Sequence, residues 1–327
     1  MVCRRYAWVW LCMTLVLTGC VAPSVSLFPD RTRPFQEVTL EGSAREKVLL
    51  LVMDGVITDM PRQGLLRDRP SPVQEVVARL RRAEKDPLIK AVVLKINSPG
   101  GTVTGSDILY HELSAYKEKT GVRLVAAMMD VAASGGYYVS LPADRIIAHP
   151  TTVTGSVGVL FLRPKVTGLI DKIGVGIEVN KSGENKDMGS PFRAATADEA
   201  LLFQELTDRM GERFITLLKR HRRLSEDALQ TVRTARVFLA EEAKSLGLVD
   251  SVGYLQDAVA EARSLGGLTD SARLIVYRRD EHAEDTIYNT AEARTVGTGP
   301  LVNLGPAVPA ANLLPGFYYL WLPGIGR

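Results

Sequence analysis

The longest apolar runs of the chain are continuous rather than alternating. Residues 47–57 (KVLLLVMDGVI), 89–96 (IKAVVLKI), 122–129 (VRLVAAMM), 145–149 (RIIAH) and 176–179 (GIEV) predict buried strands. A strand covered on both faces has no polar side to show, so its pattern loses the period of two. Between these runs, SPVQEVVARLRRAEKD and TGSDILYHELSAYKEK carry helical spacing. Alternation of strand and helix predicts an α/β fold with a largely parallel sheet.

Farther along, Thr196 and Glu199 form a capping-box pair. Phe203, Leu206, Met210, Phe214 and Leu217 follow on one helical face. Further helices are predicted to start near Ser225 and near Leu239, the latter ending at Gly247. Beyond about residue 265 the order fades into a Pro- and Gly-rich stretch with an exposed aromatic cluster. A membrane-spanning reading of that stretch fails, because Pro315, Gly316 and Pro323 interrupt it. No internal repeat is visible, so a site would be built from one copy of the domain.

The N-terminus reads differently. Arg4-Arg5 precedes an apolar run, residues 6–18, that is too short to span a bilayer, and LTGC follows at 17–20. This resembles a bacterial lipobox, in which Cys20 is lipidated and becomes the new N-terminus. The expected organisation is a signal peptide (1–19), a lipidated Cys20 and tether (20–45), a main domain (46–265) and a C-terminal extension (266–327). One lipid-bearing residue anchors a protein without spanning the membrane. The expected location is the bacterial cell envelope, facing the periplasm. Val21 after the Cys, rather than Asp, favours the outer membrane.

Composition narrows the chemistry. The formal charge is +3, two units of it from Arg4 and Arg5, and 24% of residues are charged. Nothing in this points to nucleic acid. The cysteines are Cys3, Cys12 and Cys20. Only Cys20 would survive processing, which excludes an internal disulfide and a cysteine metal site.

Two glycine-rich turns carry the candidate chemistry. INSPGGTVTGSD (96–107) sets a Gly pair at the carboxyl end of a strand, where α/β folds bind ligands; a simple tight turn is the alternative. VAASGGYYVS (131–140) sets Ser134 after the third strand at a helix start, as a nucleophile or merely as an N-cap. Neither this segment nor TTVTGSVGV, around Ser156, contains a G-x-S-x-G elbow. His111, His149, His221 and His282 have no context that suggests a triad, so a lysine made neutral by burial is the other known activator. Lys181 and Lys186 in NKSGENKDMGSPFR are candidates, and spacing alone does not choose between them.

INSPGG, AASGGYY, TGSVGV and KSGENKDMGSPFR, in this order, resemble the signal peptide peptidase A family, the S49 serine peptidases. TARVFLAEEAKSLGLVDSVG resembles that family's helical segment, with Ala235 where Gly is usual. The resemblance spans roughly residues 46–265. It implies the Clp protease/crotonase-like fold, a spiral of β-β-α units. By position it makes Ser134 the nucleophile, Lys186 the general base and Ser156 a hydrogen-bonding partner that orients the lysine, with Lys181 structural. The backbone N–H groups of Gly101 and Gly135 would form the oxyanion hole. The reaction needs no metal or organic cofactor. The implied substrates are signal-peptide remnants or other membrane-released peptides. A single copy of each motif implies a ring-like homo-oligomer whose active sites are shared between subunits. A crotonase-like acyl-CoA enzyme and a catalytically idle membrane scaffold are the alternatives; the export signal opposes the first and the intact Ser134 and Lys186 the second.

The lipobox reading yields a direct test. Cys20→Ser is expected to block lipidation and leave the protein unprocessed or free in the periplasm, as read by fractionation. Unchanged partition into the membrane fraction would assign the anchor elsewhere, first of all to the aromatic tail.

Overall fold

The chain enters its main sheet at an edge, where β1 (Gln36–Glu41) pairs antiparallel with β11 (Arg273–Arg278). Next to β11 run β2 (Lys47–Asp54), β3 (Ile89–Ser98), β5 (Arg123–Ala133), β6 (Arg145–Ala148) and β10 (Ser251–Val252), each parallel to its neighbour. The computed structural model describes residues 34–61, 70–279, 285–288, 315–321 and 323. The expected signal peptide and Cys20 lie outside the described residues.

The continuous apolar runs are buried because both sheet faces are covered. Leu49, Leu51, Val92, Leu94 and Leu124 point towards α1 (Pro72–Ala83) and α2 (Val103–Thr120), where Val76, Leu80, Leu109 and Leu113 meet them. Their alternates Val48, Leu50, Val93 and Val125 pack on α8 (Leu255–Leu265) through Leu255, Ala258 and Ala262. The two-residue period sends successive side chains into different cores. Ser71 caps α1 through the Gln74 N–H (3.0 Å), Thr102 caps α2 through that of Gly105 (3.0 Å), and Gly121 ends α2 at φ 69°.

A second, three-stranded sheet leans against the first. β4 (Gly100–Thr102) continues from β3, so that β3, β4 and α2 make one β-β-α unit. β12 (Gly316–Leu320) lies antiparallel between β4 and β8 (Leu160–Leu162). Aromatic stacking fixes it: Tyr319 lies on Tyr138 (4.9 Å between ring centres) and Phe317 on Phe161 (4.5 Å).

The predicted strands at 89–96, 122–129 and 145–149 form, and that at 47–57 forms over Lys47–Asp54; the helices at 72–83 and 103–120 form too, as do α6 (Glu226–Arg233) and α7 (Ala240–Ser245). Other expectations are corrected. Residues 176–179 form no strand and are exposed. Their apolar character is real, but nothing among the described residues covers them, and an apolar run alone cannot say what buries it. On α5 (Ala197–His221), Phe214 and Leu217 are buried while Leu206 is 40% exposed, so only the second half of the predicted stripe faces this chain's core. β1 falls inside the stretch read as tether, and β11 and β12 inside the stretch read as fading order. Of the aromatic cluster there, Tyr318 and Tyr319 are buried, and Phe317 and Trp321 are half-buried.

Tyr137 ties the middle of the fold together. It is fully buried, and its hydroxyl donates to the Leu248 carbonyl at 2.8 Å. Tyr137→Phe leaves that carbonyl without its partner and is expected to cost about 1–3 kcal/mol, read as a lower urea midpoint at unchanged slope. An unchanged midpoint would show that the bond contributes nothing.

Candidate active site

Ser134 owes its place to an irregularity in β5. Up to Ile96↔Met128 the β3–β5 register is regular; the next pair is Ser98↔Ala132, so residues 129–131 stand opposite Asn97 alone. The Asn97 side chain accepts from the Val131 N–H (3.2 Å), and the Thr152 hydroxyl donates to the Met128 carbonyl (3.0 Å). Bulges of this kind bend a strand and re-aim the residues beyond them. Before the bulge β5 pairs with β6. After it, β5 pairs with β7 (Val153–Gly155), which is itself bound on its other side by β9 (Val237–Leu239).

The β5–β7 register ends at Ala133↔Gly155, so the next residues along, Ser134 and Ser156, leave the sheet side by side. Both have left-handed backbones, φ 52° and 51°. Ser134 is held by its N–H to the Gly155 carbonyl (2.8 Å) and by its carbonyl, which accepts from Tyr138 (2.8 Å). Ser156 donates its N–H to the Arg236 carbonyl (2.9 Å). Ser134 precedes α3 (Gly135–Tyr138) but makes no side-chain capping bond, which removes the simple capping explanation for it. It is 1% exposed.

Opposite stands the glycine pair. The Ser98 hydroxyl donates to the Gly55 carbonyl (2.6 Å) and accepts from the Gly100 N–H (3.1 Å), bracing the turn. Ile57 bridges the same turn, donating to Gly100 and accepting from Thr102, both at 2.9 Å. The approach leaves no room for a side chain. A Cβ on Gly101 would stand 1.8 Å from the Ile57 carbonyl oxygen, and one on Gly135 would stand 2.4 Å from the Ser106 hydroxyl. The same construction on Gly100 falls 2.7 Å from the Gly135 nitrogen, so the two glycine turns touch.

β12 completes this corner, a role that its sequence did not announce. Tyr319 pairs with Gly101. Its carbonyl oxygen lies 2.0 Å from a Cβ built on Gly100 and 3.0 Å from one built on Gly135. A backbone carbonyl of an extended segment therefore sits beside the two glycine turns. The Tyr319 hydroxyl donates to the Met210 carbonyl (2.9 Å), and that of Tyr138 to Asp107 (2.6 Å), which Arg213 also binds (2.6 Å). Burial pushes both phenols far above their ordinary range, so they act as neutral donors. An aromatic run flanked by Gly and Pro was the available signal for this strand.

Lys186 lies elsewhere in character. From Gly158 to Asp198 no residue is buried. This arm holds α4 (Thr167–Ile173) and a single 3₁₀ turn (Glu184–Asp187) that carries Lys186. Lys186 is exposed, and among the described residues its amine has no partner and the hydroxyls of Ser134 and Ser156 have no hydrogen bond. Lys181 donates to Asp187 (2.8 Å) and to the Glu184 carbonyl (2.8 Å). Ser134, Ser156, Gly101 and Gly135 are thus brought together; Lys186 is not joined to them. His221 binds the Tyr110 hydroxyl (2.8 Å), His149 binds Thr151 (2.9 Å), and His111 is exposed; His282 lies outside the described residues.

Residues 116–269 match the model of Peptidase family S49. A relative from Enterococcus faecium named signal peptide peptidase SppA is 33% identical over 245 residues, covering 75% of this chain and 71% of that protein. Protease 4 of Salmonella typhi is 36% identical over 192 residues, 58% of this chain and 31% of that longer protein. A ClpP1 mutant from Listeria monocytogenes superposes with a TM-score of 0.40 at 18% identity, covering 64% of this chain and 94% of that one. The family model and these relatives define a peptidase, here on an α/β fold. The chain belongs to peptidase family S49.

The backbone at Ser134, φ 52° with ψ −114°, is one that only glycine adopts freely, at a cost of about 1–3 kcal/mol for other residues. Ser134→Gly is therefore expected to raise stability by about 1 kcal/mol, part of the relief being offset by the unfolded-chain entropy of glycine. Chemical denaturation reads this. A destabilised Ser134→Gly protein would show that the left-handed backbone is not strained.

Proposed function

We propose that this S49 peptidase is a serine endopeptidase in which Ser134 is the nucleophile and Lys186 of a neighbouring copy is the general base. The observation that carries the reading is a mismatch. Two adjacent buried serines have unoccupied hydroxyls, while the lysine of the matching motif stands on an arm that its own chain does not bury. The arm and the adjoining helix expose Leu169, Ile173, Val179, Phe192, Leu201 and Leu206. An apolar surface of that kind favours contact with a second copy.

In the proposed mechanism, docking of the arm would desolvate the Lys186 amine and favour its neutral form. The amine takes the proton of the Ser134 hydroxyl, with Ser156 orienting it, as the oxygen attacks a peptide carbonyl. The N–H groups of Gly101 and Gly135 receive the oxyanion, a contribution of about 3 kcal/mol for one donor. The lysine passes its proton to the leaving amine, and water then releases the acyl group from Ser134 by the same route. The position of the Tyr319 carbonyl supports the pairing of these glycines, and β12, which fills the place between β4 and β8, supports substrates bound there as an extended antiparallel strand once β12 has left it.

The proposed substrates are signal-peptide remnants or other short membrane-released peptides, and the proposed setting is the cell envelope with Cys20 as lipid anchor. Among the described residues no helix is long and apolar enough to cross a membrane.

Ser134→Ala and Lys186→Ala are each expected to lower peptide hydrolysis by roughly 10⁴-fold or more while leaving a folded oligomer. Co-expressed, the two should recover a sizeable fraction of wild-type activity, because a mixed site can hold serine from one chain and lysine from the other. Verified mixed oligomers that stay inactive would rule out the shared site.

A further inference from the structure

We propose that Arg193, assisted by Lys181, is a positioning residue: it holds the Asp187 carboxylate so that Lys186, next to it in the chain, is left without an acidic partner. The inference rests on the reading of Lys186 as the general base.

The contacts are unusually dense for an exposed arm. Arg193 donates through Nε to Asp187 Oδ2 (2.9 Å) and through Nη2 to Oδ1 (2.9 Å), and Nη2 also reaches the Asp187 carbonyl (3.2 Å). Lys181 occupies Oδ1 as well, at 2.8 Å. The far side of the same guanidinium binds Glu199, whose carboxylate also closes the capping box at the Thr196 N–H (3.1 Å). Lys165 fixes the loop between them by donating to the carbonyls of Ser190 (2.6 Å) and Arg193 (3.0 Å). The fork of one arginine thus joins the turn that carries Lys186 to the start of α5, a match of planar donors to carboxylates that lysine cannot copy.

The chemistry gives this geometry a purpose. A lysine that works as a base must be able to give up its proton, and a nearby free carboxylate would hold that proton in place. Asp187 is the nearest carboxylate in sequence, and both of its oxygens are engaged elsewhere. The hydrogen bonds from Arg193, then Lys181, hold its carboxyl well below the usual carboxylate range, and those to Asp187 and Glu199 hold the guanidinium far above its own. Lys181 and Arg193 balance Asp187 and Glu199 in charge, and Glu184 offers Lys181 its backbone carbonyl. In a site closed by a second copy, where screening is weaker, the same charges act strongly.

The pH dependence of kcat/KM on a quenched-fluorescence peptide tests this, because a purely structural clamp would lower the rate without moving the profile. Arg193→Gln frees Asp187 and is expected to shift the acid limb upward by about one pH unit, with activity near neutrality falling about tenfold. Adding Asp187→Asn to that variant should return the limb to its wild-type position, although the rate stays reduced. Lys181→Met should shift it in the same direction by less, and covers the case in which Arg193→Gln fails to assemble. Folded oligomers of Arg193→Gln or Lys181→Met with an unmoved acid limb would overturn the proposal. Lys186→Ala in the same assay separates the two claims. If it keeps activity, the base assignment falls and this inference with it; if it is inactive while the limb stays put, only the inference falls.

Discussion

The 2.8 Å bond from the Ser134 N–H to the Gly155 carbonyl is the point on which the site turns. It ends the β5–β7 ladder at the position where the chain must leave the sheet, and it fixes Ser134 in a conformation that a serine would not hold alone. Everything upstream serves that end. Asn97 and Thr152 stabilise the bulge, the bulge moves β5 from β6 to β7, and β7 is braced in turn by β9. Downstream, the buried side chains of Tyr137 and Tyr138 root the short helix that receives the chain. The strain at one residue is maintained by packing spread over much of the domain.

Much of this was legible in the sequence, for identifiable reasons. Strands such as 89–96 announce themselves because both faces are covered, and a capping box such as Thr196 with Glu199 is a local contract between side chain and backbone. The glycines of the site were visible because close backbone approach tolerates no Cβ. The features that the pattern concealed are equally instructive. Gly176 to Val179 look like core because they are apolar, yet their own chain leaves them in water. The strand of Tyr318 and Tyr319 looked like an exposed tail because Pro and Gly surround it, and only the open edges of β4 and β8 give it a partner. The roles of Asn97, Thr152 and Arg193 depend on contacts at register and distance, which no spacing rule reads.

The molecule divides into a part that is finished and a part that is not. The sheet, its helices and the paired serines are closed over by their own chain, with two apolar cores on opposite faces. Beyond Val159 and β8, which pack at the edge of the core and on β12, the arm to Asp198 buries no residue in those cores, yet its one turn bearing Lys186 is clamped by ionic contacts. Order without burial is costly to maintain, and ion pairs in water contribute little to stability. A segment held in shape in this way is shaped for something outside itself.

The edge position of β1 has a mechanical meaning. The strand order β1-β11-β2-β3-β5 places three strands between the chain's point of entry at Gln36 and the strand that leads into Ser134. A pull on the leading segment would load the β1–β11 ladder first, and that ladder already carries an irregularity between Thr39 and Glu41. Peeling β1 would expose the edge of β11 while the parallel pairs farther in stayed closed. The sheet is thus built with a fuse at its rim: tension on the protein's leading end would be spent in fraying one strand before any of it reached the backbone of the two serines.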